Sequence, residues 1–295
     1  MQGGFLTFPA AQFTPDPRGR FNSRYFEGGL AGTASPVLYG IGGSPFYDRA
    51  QSRWVPVSAQ QARADGGAYA YATVDSPATI VTVHVVTVAT GADRTFRLAL
   101  PRRLEVADYG VAGIYLTEPS ALGGPGEGVW LLDPATGVVK KTWTIHRVWT
   151  VRDGYAWVAR LDPRDKTQWQ PSELPPADSV VRIDLRSGAE EVWFYRAGSY
   201  PWLTGFASGG RPVVTVTHPD DTYDVFLTTP NNQSGTLVYS GGLQFTSVQG
   251  DGERLWLGRE DGIYLYRPAA GLQKVFAYVV NPDFAPSIEP AGFCL

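Results

Sequence analysis

The sequence predicts an all-β fold built from one four-stranded unit repeated along the chain. Two hairpin patterns that alternate through the sequence predict it, together with a composition rich in turn formers and aromatics. Gly occurs 34 times, Pro 23 times, and Trp, Tyr and Phe together 38 times in 295 residues. Turn residues interspersed with aromatic and β-branched residues are the composition of many short strands. No stretch carries the apolar spacing of an amphipathic helix of three turns.

The first hairpin is a tight turn followed by an apolar strand. It reads Ala64-Asp65-Gly66-Gly67 before Ala68-Tyr69-Ala70-Tyr71, then Asp108-Tyr109-Gly110 before Ile114-Tyr115-Leu116. It returns as Asp153-Gly154 before Tyr155-Ala156-Trp157-Val158, as Ser208-Gly209-Gly210 before Val213-Val214, and as Asp251-Gly252 before Leu255-Trp256-Leu257. From Asp65 the steps are 43, 45, 55 and 43 residues. Asp-Gly between apolar runs marks a hairpin because the turn needs positive φ, which Gly takes without steric cost.

The second hairpin reads as an alternating strand, a short polar link, Thr or Ser with Gly, and another strand. Its clearest copies are Trp130-Leu131-Leu132-Asp133-Pro134-Ala135-Thr136-Gly137 and Val181-Arg182-Ile183-Asp184-Leu185-Arg186-Ser187-Gly188. Weaker copies end at Gly91, Gly235 and Gly271, and a sixth, degenerate copy runs from Phe46 through Gln51-Ser52 into Trp54-Val55. Val181, Ile183 and Leu185 fall on one face of their strand and Arg182, Asp184 and Arg186 on the other, the period of a half-buried strand.

One hairpin of each kind makes four antiparallel strands, which is one propeller blade. Five units are complete, starting near residues 60, 104, 148, 204 and 246. The sixth lacks its upstream Asp-Gly hairpin, so its inner strands are expected from residues 36–41 and from a chain terminus. The fold class is therefore a six-bladed β-propeller of four-stranded antiparallel blades, one domain over residues 1–295. Residues 1–57 and 276–295 contribute to the closing blade, with 5–13 and 276–295 as candidate closing strands. Closure by strands from both termini removes open sheet edges.

The alternation of Asp-Gly hairpins with apolar-x-Asp-x-x-Thr-Gly hairpins over residues 36–280 resembles the TolB-like six-bladed propellers of bacterial envelopes. That resemblance implies an exported propeller, and the superfamily hosts binding modules and peptidase-associated domains alike. Six-bladed lactonases imply a second possibility, a central calcium held by Asn and acidic residues from separate blades. None of the four Asn residues, Asn22, Asn231, Asn232 and Asn281, falls on an inner strand in this reading.

Composition narrows the function classes. The chain is 43% apolar and 18% charged, with a net charge of −3, so it is neither disordered nor basic in the manner of a nucleic-acid binder. No apolar run is long enough to span a bilayer. Cys294 is the single cysteine, which excludes an internal disulfide and a cysteine-built zinc site. Met1-Gln2-Gly3-Gly4-Phe5 has neither the cationic region nor the apolar core of a signal peptide. The expected location is the cell envelope or the exterior, with the leader removed, and the cytoplasm is the alternative.

In a blade whose strands run A to D from centre to rim, the A–B and C–D turns share one face. The B–C and D–A connections share the other. Here the first set is short and repetitive and the second long and irregular, so binding residues are expected on the second. Its aromatic candidates are Trp169, Tyr200 and Trp202, a surface suited to a glycan or peptide. Its polar candidates are His146, Arg147, His218, Asp220 and Asp221, with His218 and Asp220 or Asp221 as a base–acid pair. The plainer alternative is that these groups cap turns or pack on blade rims. The loop carboxylates, among them Glu118, Asp178, Asp224, Glu260 and Asp261, leave calcium as a possible cofactor, although no ordered Asp-x-Asp-x-Asp-Gly loop is present. Trp130, Trp143, Trp157, Trp193 and Trp256 are expected in the core, and His84 on a rim or between blades. No G-x-S-x-G, S-x-x-K, H-E-x-x-H or phosphate-binding loop occurs. The sequence therefore favours a non-enzymatic propeller binding a protein or glycan. A calcium-dependent lactonase-like hydrolase and a self-assembling structural subunit are the alternatives.

Overall fold

The computed structural model describes residues 2–8, 10, 12–20, 46–48, 51–75, 80–99, 104–118, 128–161, 177–230 and 232–278. Among them there is no α-helix, only strands and two short 3-10 turns. The chain groups into two compact units, Met1–Thr7 with Phe13–Ala156 and Phe8–Gln12 with Trp157–Leu295.

In the first unit, β1 (Gln2–Thr7) and β2 (Gln12–Arg20) pair with each other, and β3 (Phe46–Asp48) pairs with β4 (Arg53–Val55). The two small sheets meet through Phe5, whose ring stands edge-on to Tyr47 at 5.0 Å, and through the Trp54 indole, which donates to Asp16 Oδ2 at 3.1 Å. Arg18 also donates to Asp16, from its backbone and its guanidinium, and these bonds hold the Asp16 carboxyl down at about 2. Residues 5–13 were expected to add a closing strand to the blade of the β3–β4 hairpin. The described part of that segment includes the end of β1 and the start of β2, which pair with each other in a two-stranded sheet. Residues 36–41 and 279–295 lie outside the described residues.

Next come β5 (Ala68–Asp75), β6 (Ile80–Thr87) and β7 (Asp93–Leu98), a three-stranded sheet. The place of its inner strand is taken by a 3-10 turn, Ala59–Gln61, and one bridge from Ala62 to Tyr69. Gln61 is buried and its amide donates to Val106 O at 2.9 Å, which satisfies a polar group that burial would otherwise penalise. The sheet of β8 (Glu105–Gly110), β9 (Gly113–Thr117), β10 (Val129–Leu132) and β11 (Val139–Trp143) has the full A-to-D order.

The order repeats in β12 (Val148–Arg152), β13 (Tyr155–Arg160), β14 (Ser179–Asp184) and β15 (Glu190–Tyr195), the sheet in which the chain enters the second unit. It repeats again in β16 (Pro201–Phe206), β17 (Pro212–Thr217), β18 (Tyr223–Thr229) and β19 (Asn232–Gly241). The last copy is β20 (Ser247–Asp251), β21 (Arg254–Arg259), β22 (Gly262–Arg267) and β23 (Gly271–Ala277). In these last two sheets the inner strands β16 and β20 pair in parallel through Gly205–Val248 and Phe206–Gln249. The approach is so close that a Cβ on Gly250 would lie 2.2 Å from Ser208 N. Consecutive four-stranded sheets with inner strands side by side are the unit from which propellers are built.

The second hairpin of the sequence is one turn made repeatedly. Gly91, Gly137 and Gly188 each donate to the carbonyl four residues earlier, and their φ angles are 68°, 77° and 76°. Asp133 and Asp184 accept from the backbone two residues on, while Thr90, Thr136 and Ser187 accept from the residue past the Gly. Gly235 and Gly271 take the same left-handed conformation, and in the degenerate first copy Ser52 does so, at φ 49°. Four of the outer strands that follow such a turn, β11, β15, β19 and β23, also carry a bulge against their neighbour, leaving Lys140, Trp193, Val238 and Val275 as the extra residues.

The core of each sheet follows the alternation of its strands. Ala68, Ala70, Ala72, Val81 and Val83 pack against Leu104, Ile114, Leu116 and Leu132. In the second unit Trp157 stands edge-on to Trp193 at 5.2 Å and to Phe206 at 5.5 Å. Trp157, Trp193 and Trp256 are buried as expected, whereas Trp130 and Trp143 are only half-buried.

Candidate functional site

The connection between β17 and β18, residues 218–222, is drawn into a compact loop by its own side chains. The His218 N–H donates to Thr222 O at 2.8 Å and the Asp221 N–H to His218 O at 3.1 Å. Asp220 Oδ1 accepts from the Thr222 hydroxyl at 2.6 Å, and Asp221 takes φ 59°, a conformation Asp tolerates better than most residues. The bonds from the Thr222 hydroxyl and the Thr222 N–H pull the Asp220 carboxyl below its usual range. The loop places His218 just after β17 and Asp224 second in β18, where Asp224 pairs with Val216 and Ser240.

Asp224 is the hub of the site. Only 8% of it is exposed, yet its Oδ2 accepts from His218 Nε2 at 3.0 Å and from Arg196 at 2.9 Å. Burial alone would raise its pKa. Hydrogen bonds from Ser240, His218 and Arg196 outweigh that and lower it. Arg196 is held from behind: its N–H donates to Asp178 O at 2.9 Å, its carbonyl accepts from the Ser199 hydroxyl at 2.7 Å, and its guanidinium lies 5.4 Å from the Phe226 ring centre. A guanidinium and an imidazole, both partly exposed, are thus fixed by one buried carboxylate. His218 Nδ1 makes no hydrogen bond among the described residues.

The expected partnership of His218 with Asp220 or Asp221 is corrected by this geometry: the acid on His218 is Asp224, while Asp220 serves the turn. Arg196 was missed altogether. The signal available was Asp224 itself, a carboxylate inside an otherwise apolar strand, which requires a cation nearby.

Tyr200 and Trp202 enter from the connection that follows Arg196. Both are half-buried. Trp202 opens the inner strand β16 opposite Thr215, whose hydroxyl is 2.5 Å from that of Thr204. Among the described residues the buried Trp202 indole N–H has no hydrogen-bond partner, and neither has the Ser247 hydroxyl on β20. Leaving such a group unmatched costs about 1–3 kcal/mol. His146 and Arg147 belong to the first unit, in the turn between β11 and β12, where His146 is exposed and Arg147 takes φ 60°. Trp169 lies outside the described residues.

His84 serves its sheet. Its ring stacks on Tyr71 at 4.4 Å and 3°, its Nδ1 pairs with Asp93 at 2.8 Å, and its Nε2 with Thr73 Oγ1 at 3.1 Å. Both ring nitrogens are engaged, tying β5, β6 and β7 together. Among the described residues no three of His, Cys, Asp and Glu come together to hold a metal ion, and no helix is long and apolar enough to cross a membrane.

Among solved structures the chain is similar to one from a study of two prolyl endopeptidases, with a TM-score of 0.48 and 13% identity, over 70% of this chain and 34% of that one. It is also similar to the β-propeller domain of the trilobed protease from Pyrococcus furiosus, described as having an open velcro topology, with a TM-score of 0.44 and 11% identity, over 72% and 68% of the two chains. The chain spans about a third of the length of the first (34%). No family model matches the sequence, and no curated protein does.

Proposed function

We propose that this chain is a closed six-bladed propeller of the exported, TolB-like type, and that its irregular loop face binds a protein or glycan without catalysing a reaction. The observation that carries the binding reading is the Arg196–Asp224–His218 cluster. A buried carboxylate fixes two partly exposed donors, which lowers the entropic cost of engaging a ligand. The unmatched indole N–H of Trp202 adds a donor that a ligand oxygen would satisfy. Six blades are supported by six copies of the left-handed turn, five closed by Gly and one by Ser52. Export is supported by the alternation of the two hairpins, the feature shared with envelope propellers.

Peptide and glycan arrays probed with the wild-type chain and with Arg196→Gln/His218→Gln test the binding reading. The expected result is a set of binders lost in the variant, assayed at a temperature where circular dichroism shows it folded, since leaving Asp224 without its two partners lowers the thermal midpoint. Equal binding by a folded variant refutes the placement of the site.

A further inference from the structure

Three residues from adjacent strands meet on one face of the β5–β6–β7 sheet. His84, in β6, stands opposite Tyr71 of β5 and Thr95 of β7. Side chains two positions apart in a strand share a face, so Thr73 and Asp93 lie on the face of His84, at its diagonal corners. Thr73 is opposite Thr82 and Asp93 opposite Val86, so they flank the imidazole from opposite directions along β6. The contacts agree with that register: Asp93 Oδ2 is 2.8 Å from Nδ1, and Thr73 Oγ1 is 3.1 Å from Nε2. The Tyr71 ring, stacked at 4.4 Å and 3°, fixes the plane of the imidazole.

The acid decides where the protons lie. A carboxylate only accepts, so in the neutral ring Nδ1 carries the proton and Nε2 keeps its lone pair. The Thr73 hydroxyl therefore donates to Nε2; its other acceptor, Thr82 O, is at 3.5 Å, the outer limit of a hydrogen bond. Carboxylate, imidazole and hydroxyl in this order turn an alcohol into a nucleophile. Of the two histidines paired with a carboxylate, His84 has a hydroxyl on its second nitrogen and His218 has none among the described residues. Solvent reaches the group, with the His84 side chain 17% exposed, Asp93 36% exposed and Thr73 half-buried. We propose that Thr73 is a nucleophile that takes an acyl group from a small activated ester, with His84 as general base and Asp93 as the residue that positions His84. Thr73 Oγ1 bonds to the acyl carbon as its proton passes to His84 Nε2; the ester C–O bond breaks, and the leaving alcohol departs with that proton. The product is an acyl-threonine and a free alcohol. No group of the Arg196–Asp224–His218 cluster takes part, so the inference does not rest on the binding reading.

The test is acetylation of the full chain by p-nitrophenyl acetate, quenched in acid, with the modified positions located by peptide mass spectrometry and p-nitrophenol followed by absorbance. Wild type is expected to carry an acetyl group on Thr73. Thr73→Val should lose it, while Thr73→Ser should keep an adduct at that position, a rescue that a purely structural role would not produce. His84→Gln removes the base, and Asp93→Asn presents a donor that lets the ring proton move to Nε2; each should slow labelling of Thr73 by about tenfold or more. Circular dichroism establishes which variants are folded, and having both His84→Gln and Asp93→Asn keeps the test decisive if one of them is not. Acetylation confined to lysines and the N-terminus would overturn the proposal. So would labelling of Thr73 at the wild-type rate in a folded His84→Gln or Asp93→Asn.

Discussion

Asp108 offers a quantitative test of the packing. It sits near the end of β8, past an irregularity in the pairing with β9, and is only 6% exposed. Its Oδ2 accepts from the Asp153 N–H at 3.2 Å, so it anchors the hairpin turn between β12 and β13, which Asp153 enters at φ 53°. Burial, then the nearby Asp153 charge, push the Asp108 pKa from 3.8 up to about 7; the backbone bond and Arg152 only partly offset them. Because the folded pKa is the higher one, the protonated form favours folding. That stabilisation is complete below the unfolded pKa and is lost as pH rises toward 7. A displacement of about 3 units at 1.36 kcal/mol each corresponds to about 4 kcal/mol between pH 4 and pH 8. Asp108→Asn keeps an acceptor for the Asp153 N–H and cannot ionise. Urea unfolding at five pH values over that range should show wild type losing stability relative to the variant, with the gap opening steadily to about pH 7 and then levelling. Carboxylates whose pKa values are lowered, such as Asp16 and Asp224, act in the opposite sense and mainly below pH 4, outside this window. Parallel profiles for the two proteins, differing by under about 1 kcal/mol across the range, would refute the reasoning, for they would mean that Asp108 is solvated or paired in the folded state.

Other outcomes follow from single residues. Ser52→Gly should stabilise the protein by about 0.5–1 kcal/mol, since Ser52 holds a conformation that the other five copies give to Gly, and thermal unfolding measures it. Gly137→Ala should cost clearly more than Gly188→Ala. The two share φ near 77°, but an added Cβ would lie 2.1 Å from Phe96 at the first and meets nothing at the second. The difference in urea midpoint isolates the clash from the backbone strain. Asp224→Ala should destabilise by about 1–3 kcal/mol by leaving Arg196 and His218 without their shared acceptor, a loss that a chemical melt at neutral pH will register. His84→Ala should cost a similar amount, about 1–3 kcal/mol, because the Tyr71 stack and two hydrogen bonds disappear together; no effect on the melt would show that the three strands do not depend on that ring.

What could be read from the amino-acid order was whatever is decided within a few residues. Gly after Thr or Ser marks a left-handed position, and alternation in Val181–Leu185 marks a half-buried strand, so the hairpins, their repetition and the faces of their strands were legible. The degenerate first copy was legible for the same reason, since Ser52 occupies the place of a Gly. Bulges at Lys140, Trp193, Val238 and Val275 were not, because a bulge is a relation between two strands and leaves no mark on either alone.

The candidate site divides along the same line. His218, Asp220 and Asp221 form one short loop, and their irregular composition announced it. Which acid holds the imidazole depended on β18 carrying Asp224 alongside β17, and on Arg196 arriving from the preceding blade, 28 residues away in sequence. Local chemistry fixes turns because a turn's hydrogen bonds close between neighbours in the chain. Charge pairing at a buried carboxylate is set by desolvation and by distance in space, and both exist only once separate strands have packed. By itself, then, the sequence determined a repeating β scaffold and the loops it presents; the tertiary structure decided that Asp224 is buried and that it gathers Arg196 and His218.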